Sequence, residues 1–325
     1  MYLINRIFNP EIYQGRYRNR GYFEGWYFKI IDKCAKNIYA VIPGVSKAKN
    51  DKHAFIQVIE AVSGKTLYKR FPISEFSYSA KEFDISINDN HFERNGFSIN
   101  IQDGDFNLSG EISYTKIVPF PKTILNPGIM GPFSFIPFME CYHGIVNIHC
   151  GIEGVLNIHG RDTDFTGGYG YLEKDWGTSF PKSWIWLQCN HFKSENTCLM
   201  FSIASIPWLG SSFVGLISFL KLGDSFFRFA TYTGAKIKKL YYVNNVLQIL
   251  VEDSKNTLSL KATVSKGGGL KAPKNGMMDI DITESITSQV DVILRDKNGN
   301  IIFSDSGNNA GLELAGEFKQ FEIEN

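Results

Sequence analysis

The residues in this sequence best suited to chemistry are carboxylates set among large rings. In the stretch Tyr22–Ile30, strand alternation would place Tyr22, Glu24, Trp26, Phe28 and Ile30 on one face. Burial among rings disfavours a carboxylate's charge and raises its pKa, which a general acid working near neutral pH requires. The competing reading is a rim glutamate paired with Arg16, Arg18 or Arg20, and residue chemistry alone leans that way.

A second segment, Gly168–Phe192, reads GYGYLEKDWGTSFPKSWIWLQCNHF. Its last strand puts Trp184, Trp186, Gln188, Asn190 and Phe192 on one face. Two indoles followed by two amides suit a pocket wall, with rings for an apolar body and amides to orient a polar head. A pure core face would need partners for both amides. Just upstream stand Glu173, Lys174, Asp175 and Trp176. They fit either a turn with a surface ion pair or an acid with its tuning partners. If the strand runs through them, Glu173 and Asp175 share a face and one stays protonated by mutual repulsion, while Lys174 points the other way.

The elements that must hold these groups are short β runs separated by Gly, Asn, Asp and Lys clusters. Phe23–Ile31, Ile38–Ile42, Ala54–Glu60, Phe97–Ile101 and Phe106–Tyr114 are examples in the first half. Trp184–Phe192, Lys236–Val243, Val246–Glu252, Leu258–Val264, Val290–Arg295 and Ile301–Ser304 continue the pattern, with turns at Asp103-Gly104, Asn244-Asn245 and Asn298-Gly299-Asn300. No long segment carries a 3.6-residue apolar period, so at most one or two short helices are expected. The predicted fold is all-β, mostly antiparallel, in two tandem halves, residues 1–165 and 166–325. The uncharged stretch Thr197–Leu220 is long enough to span a bilayer, but Pro207, Gly210, Ser211 and Ser212 interrupt it. Two strands, Thr197–Ile206 and Phe213–Lys221, explain it better.

Ile117–Met139 differs from the rest. Pro119, Pro121, Pro127, Pro132 and Pro137 exclude a central strand or helix, yet the segment is rich in Ile, Met and Phe. It fits a segment that covers part of a ligand entrance or touches a membrane surface while loading, or a crossover packed between the halves; composition leaves these open.

Net charge is +1, which gives no electrostatic reason to expect nucleic acid as a partner. The five cysteines, Cys34, Cys141, Cys150, Cys189 and Cys198, are odd in number and lack a CxxC, so reduced thiols in a cytoplasmic setting are expected. Residues 1–14 show no apolar signal region. His143, His149 and His159 match no zinc spacing and read as ordinary strand histidines; no metal or other cofactor is called for. Walker, GxGxxG and GxSxG patterns are lacking.

FEGWYFK at Phe23–Lys29, together with YLEKDWGTSFPKSWIWLQCNHF at Tyr171–Phe192, resembles the tocopherol cyclase family. GLKAPKNGMMD at Gly269–Asp279, the following Glu284, and AGLELAG at Ala310–Gly316 fit the wider pattern. Asp175 stands where members of that family often carry Asn. The resemblance implies lipocalin-like halves and a distant kinship with carotenoid 1,2-hydratases. It also implies a shared reaction logic, in which an alkene is protonated and an oxygen nucleophile captures the tertiary cation. For that logic the resemblance assigns no roles; on residue chemistry Glu24, Glu173 or Asp175 would supply the proton, and Lys174 or Gln188 would orient a phenol. Trp26, Phe28, Tyr171, Trp176, Trp184, Trp186, Gln188 and Asn190 would contact the substrate. The leading expectation is a cyclase of a prenylated quinol. The alternatives are a carrier of apolar lipids and a polyene hydratase.

Overall fold

The computed structural model describes residues 2–208 and 211–323. The chain is all-β, with 64% of it in strands and 7% in helix, in line with the alternating patterns and the scarcity of helical periodicity. It forms two compact units. One holds Met1–Phe180 and Gly269–Asp281, the other Pro181–Gly268 and Ile282–Asn325.

The first unit is built on one antiparallel sheet. In spatial order its strands are Thr66–Pro72, Lys52–Glu60, Ile38–Lys47, Tyr22–Ile31, Tyr169–Gly177, Cys141–Ile158, Phe106–Pro119, Gly96–Asp103, Asn90–Glu93, Asp84–Ile87 and Phe76–Tyr78. The two edge strands are consecutive in the chain, joined only by the 3-10 turn Ile73–Glu75, so the sheet curls into a nearly closed barrel. Tyr169–Gly177 lies beyond the boundary expected at residue 165, yet it pairs with both Tyr22–Ile31 and Cys141–Ile158. It completes the barrel, with Trp26 opposite Lys174 and Glu24 opposite Trp176.

Rings fill the barrel. Trp26 and Phe28 were expected to touch a ligand, but both are fully buried in the core. Trp26 stacks on Phe83 at 5.5 Å, and Phe28 packs against Phe97 at 5.5 Å and Phe92 at 5.7 Å. A lumen packed this way is a hydrophobic core and leaves these two side chains no free face.

The second unit holds a sheet ordered Ser225–Ala230, Ser211–Leu222, Thr197–Trp208, Trp184–Cys189, Ile301–Ala315, Met277–Asp296, Asn256–Thr263, Val246–Glu252 and Lys236–Val243. The uncharged stretch is its hairpin, with Trp208 opposite Ser211. Gly210, one of the expected breakers, lies outside the described residues. Among the described residues no helix is long and apolar enough to cross a membrane. The tip of the hairpin formed by Gly268–Lys274 and Met277–Asp296 groups with the first unit, where Ser46 Oγ donates to Gly276 O at 2.6 Å and Gln57 Nε2 to Lys271 O at 3.0 Å.

Candidate active site

On the outer face of the barrel, strand alternation brings Tyr171, Glu173 and Asp175 into line, and the neighbouring strand places His143 directly opposite Asp175. His143 Nδ1 lies 2.9 Å from Asp175 Oδ1, and its Nε2 lies 3.4 Å from Glu173 Oε2. Tyr171 donates its hydroxyl to Glu173 at 2.5 Å. Burial works against a charge on His143, but Asp175 and Glu173 together outweigh it and hold the imidazole pKa well above its ordinary value. The cluster therefore carries an imidazolium between two carboxylates. The carboxylates lie on one face as the sequence suggested, and between them stands a histidine read there as an ordinary strand residue. His143, Glu173 and Asp175 offer donor atoms within 4.8 Å of one another, close enough to share a proton or a bound cation.

Glu24 and Lys174 face the interior and have a different task. Neither side chain is exposed, and the two form an ion pair. Glu24 also accepts from Gln14 N at 2.8 Å, Gly15 N at 2.9 Å and the Tyr22 hydroxyl at 2.5 Å. These donors occupy the Glu24 carboxylate away from the lining of the cavity at the barrel end, so the geometry does not aim it at a ligand there. Lys174 Nζ donates to Pro10 O at 2.8 Å and Ile12 O at 2.7 Å, and it lies 4.5 Å from the Trp26 ring centre. Burial pushes its ammonium down to about 8 against the pull of Glu24. With its donors engaged, Lys174 cannot orient a phenol. Instead the pair pins residues 10–15 across the end of the barrel. Gly144 permits this approach, because a Cβ there would come within 2.6 Å of Pro10.

That pinned segment walls a cavity of about 330 Å³. The cavity lies at the barrel end where Tyr22–Ile31 begins and Tyr169–Gly177 ends. Its lining includes Arg6, Pro10 and Gln14 from the N-terminal segment, Phe135 and Phe138 from the proline-rich segment, and Tyr142, His143 and Trp176 from the sheet. Trp176 stacks on Tyr142 with centroids 5.4 Å apart and planes within 7°. The volume lies at the lower end of the usual small-molecule range of about 300–1,000 Å³.

Trp184, Trp186, Gln188 and Asn190 lie on or just after the strand Trp184–Cys189 in the second unit, and all four are buried. Trp184 Nε1 donates to Glu313 at 2.5 Å. The Trp186 ring lies over Gly311, where a Cβ would come within 2.6 Å of it.

Sequence reasoning missed Tyr142 and gave His143 no role beyond that of an ordinary strand histidine. Bulges at Ile145/Asn147 and Asn147/Cys150 break the alternation of Cys141–Ile158 and hide it as a strand.

A nearly closed antiparallel barrel followed by a second antiparallel sheet defines a lipocalin-like all-β protein. Residues 117–316 match the family model described as tocopherol cyclase-like, and the chain belongs to that family. The chloroplastic tocopherol cyclase of Zea mays is 34% identical over 62 residues, covering 19% of this chain and 13% of the maize protein. The alignment thus spans a small part of that relative. Among solved structures, CghA superposes with a TM-score of 0.57 at 9% identity, covering 91% of this chain and 89% of CghA. Kievitone hydratase from Nectria haematococca does so with a TM-score of 0.51 at 11% identity, covering 94% of each chain. At these identities the likeness is one of fold.

Proposed function

We propose that the chain is a cyclase that needs no cofactor. It protonates the trisubstituted alkene of a prenylated phenol or quinol, and the phenol oxygen captures the tertiary cation to close a chromanol ring. One observation carries this reading: His143, held between Asp175 and Glu173, lines the same cavity as the stacked Trp176 and Tyr142. All of these residues fall within the stretch that matches the family model.

In this reading the imidazolium of His143 gives its proton to the alkene carbon. The π electrons form the new C–H bond and leave a cation on the more substituted carbon. The ring faces of Trp176 and Tyr142, which line the cavity, then stabilise that cation through their quadrupoles, while the two carboxylates hold the imidazole in place. As the phenol oxygen attacks, its proton returns to the imidazole, so the cycle needs no external acid, base or oxidant. A raised pKa makes His143 a weak acid, and stabilisation of the cation is what makes the transfer favourable.

The test is to incubate the protein with a prenylated quinol and to measure chromanol by mass spectrometry, comparing wild type with His143→Asn, Glu173→Gln and Asp175→Asn. His143→Asn is expected to abolish turnover. Asp175→Asn keeps an acceptor for Nδ1–H and is expected to retain more activity than Glu173→Gln. Hydrated in place of cyclised product would move the nucleophile from phenol to water. Tight quinol binding without turnover in the wild type would overturn the enzyme reading in favour of a lipid carrier.

A further inference from the structure

The proline-rich segment closes one side of the cavity and also sends apolar side chains outward. Phe138 is 84% exposed, Ile124 82% and Leu125 74%, and Phe135 is 45% exposed while lining the cavity. Large apolar side chains on a loop tip gain nothing from water, and a cluster of them marks a contact surface. The N-terminal segment lies against the same loop. Lys122 Nζ donates to Phe8 O at 2.8 Å, and the Phe8 ring meets Phe135 edge-on at 6.2 Å.

The charge around these side chains is mostly positive, with Glu11 paired to Lys122 and Glu140 just beyond the loop. Residues 1–21 carry Arg6, Arg16, Arg18 and Arg20 against the single acid Glu11, and residues 117–139 carry Lys122 and no acid. Arg16, Arg18 and Arg20 are exposed, and Arg18 lines the cavity beside Phe138. Tyr17, 66% exposed between two of these arginines, has the amphipathic ring that settles at a lipid headgroup. The whole chain carries only +1, so this end is locally basic on an otherwise balanced protein.

We propose that the cavity end of the first unit docks on an anionic lipid bilayer. The side chains of Ile124, Leu125 and Phe138 enter the interface, and Arg16, Arg18 and Arg20 meet the headgroups. A protein partner would have to match both the apolar tip and the unpatterned basic rim, whereas an anionic bilayer satisfies both without shape complementarity. The docking does not depend on the cyclase reading, but it would let an apolar molecule reach the cavity without crossing water.

The test is co-sedimentation with vesicles of phosphatidylcholine, with and without phosphatidylglycerol. Wild type is expected to pellet with the anionic vesicles, and to be released by salt. The double variant Ile124→Asp/Leu125→Asp is expected to bind roughly tenfold or more weakly. Arg16→Glu/Arg20→Glu is expected to lose at least as much, and only for the anionic vesicles. None of these four residues lines the cavity, and an unchanged β-rich circular dichroism spectrum and thermal unfolding midpoint serve as the folding control. Failure of the wild type to pellet with anionic vesicles, or pelleting of both double variants to the same extent as wild type, would overturn the proposal. Binding that ignores phosphatidylglycerol would overturn it as well.

Discussion

Lys174 and Glu24 form an ion pair fully removed from solvent, and both ends of the pair hold the backbone of residues 10–15. Removing one partner leaves the other's buried charge without its counter-ion. Glu24→Gln and Lys174→Met should therefore each lower stability by about 3–5 kcal/mol. The double variant should recover part of that loss. Urea denaturation of the three variants measures this directly, and strictly additive losses would show that the pair is not coupled.

His143 sets the pH dependence. Its folded pKa is raised well above the ordinary value by Asp175 and Glu173 despite burial. A raised folded pKa means the imidazolium favours the folded state. That contribution is complete below the unfolded pKa of about 6.5 and is lost as pH rises through the folded value. Turnover should accordingly persist above about pH 6.5 and fall on the alkaline side. Asp175→Asn removes one of the two carboxylates and should move that fall toward lower pH. An NMR titration of the His143 ring checks the assignment independently of activity.

Trp176 should matter through its ring face. It lines the cavity, stacks on Tyr142 and lies 5.2 Å from the buried ammonium of Lys174. Cation–π contacts contribute about 0.5–2 kcal/mol, so Trp176→Leu should cost roughly twofold to thirtyfold in kcat. Trp176→Phe keeps a ring and should cost less. A loss confined to KM would place the ring in substrate binding rather than cation stabilisation.

How much of this could be read in the sequence follows from how local each feature is. Asn244 and Asn245 both adopt positive φ, 51° and 61°, as the turn chemistry of paired asparagines predicts. Alternation put Glu173 and Asp175 on one face and Lys174 on the other, and the structure agrees. It could not reveal what each face meets. Lys174 finds Glu24 only because two distant strands pair, and His143 meets Asp175 across a strand whose bulges hide its period. For the same reason Glu24 looked like an acid among rings. The backbone donors of Gln14 and Gly15 that engage it are set by chain path, which side-chain pattern does not encode.

Solvent deuterium tests the central claim most directly, because protonation of an alkene by His143 must place a hydrogen from water on carbon. In D2O, wild-type protein acting on a prenylated quinol should give chromanol carrying a single deuterium on the ring methylene beside the new C–O carbon. His143→Asn should give no labelled chromanol, while Glu24→Gln, if folded, should retain labelling. Chromanol formed without deuterium, or labelled equally by His143→Asn, would contradict the account.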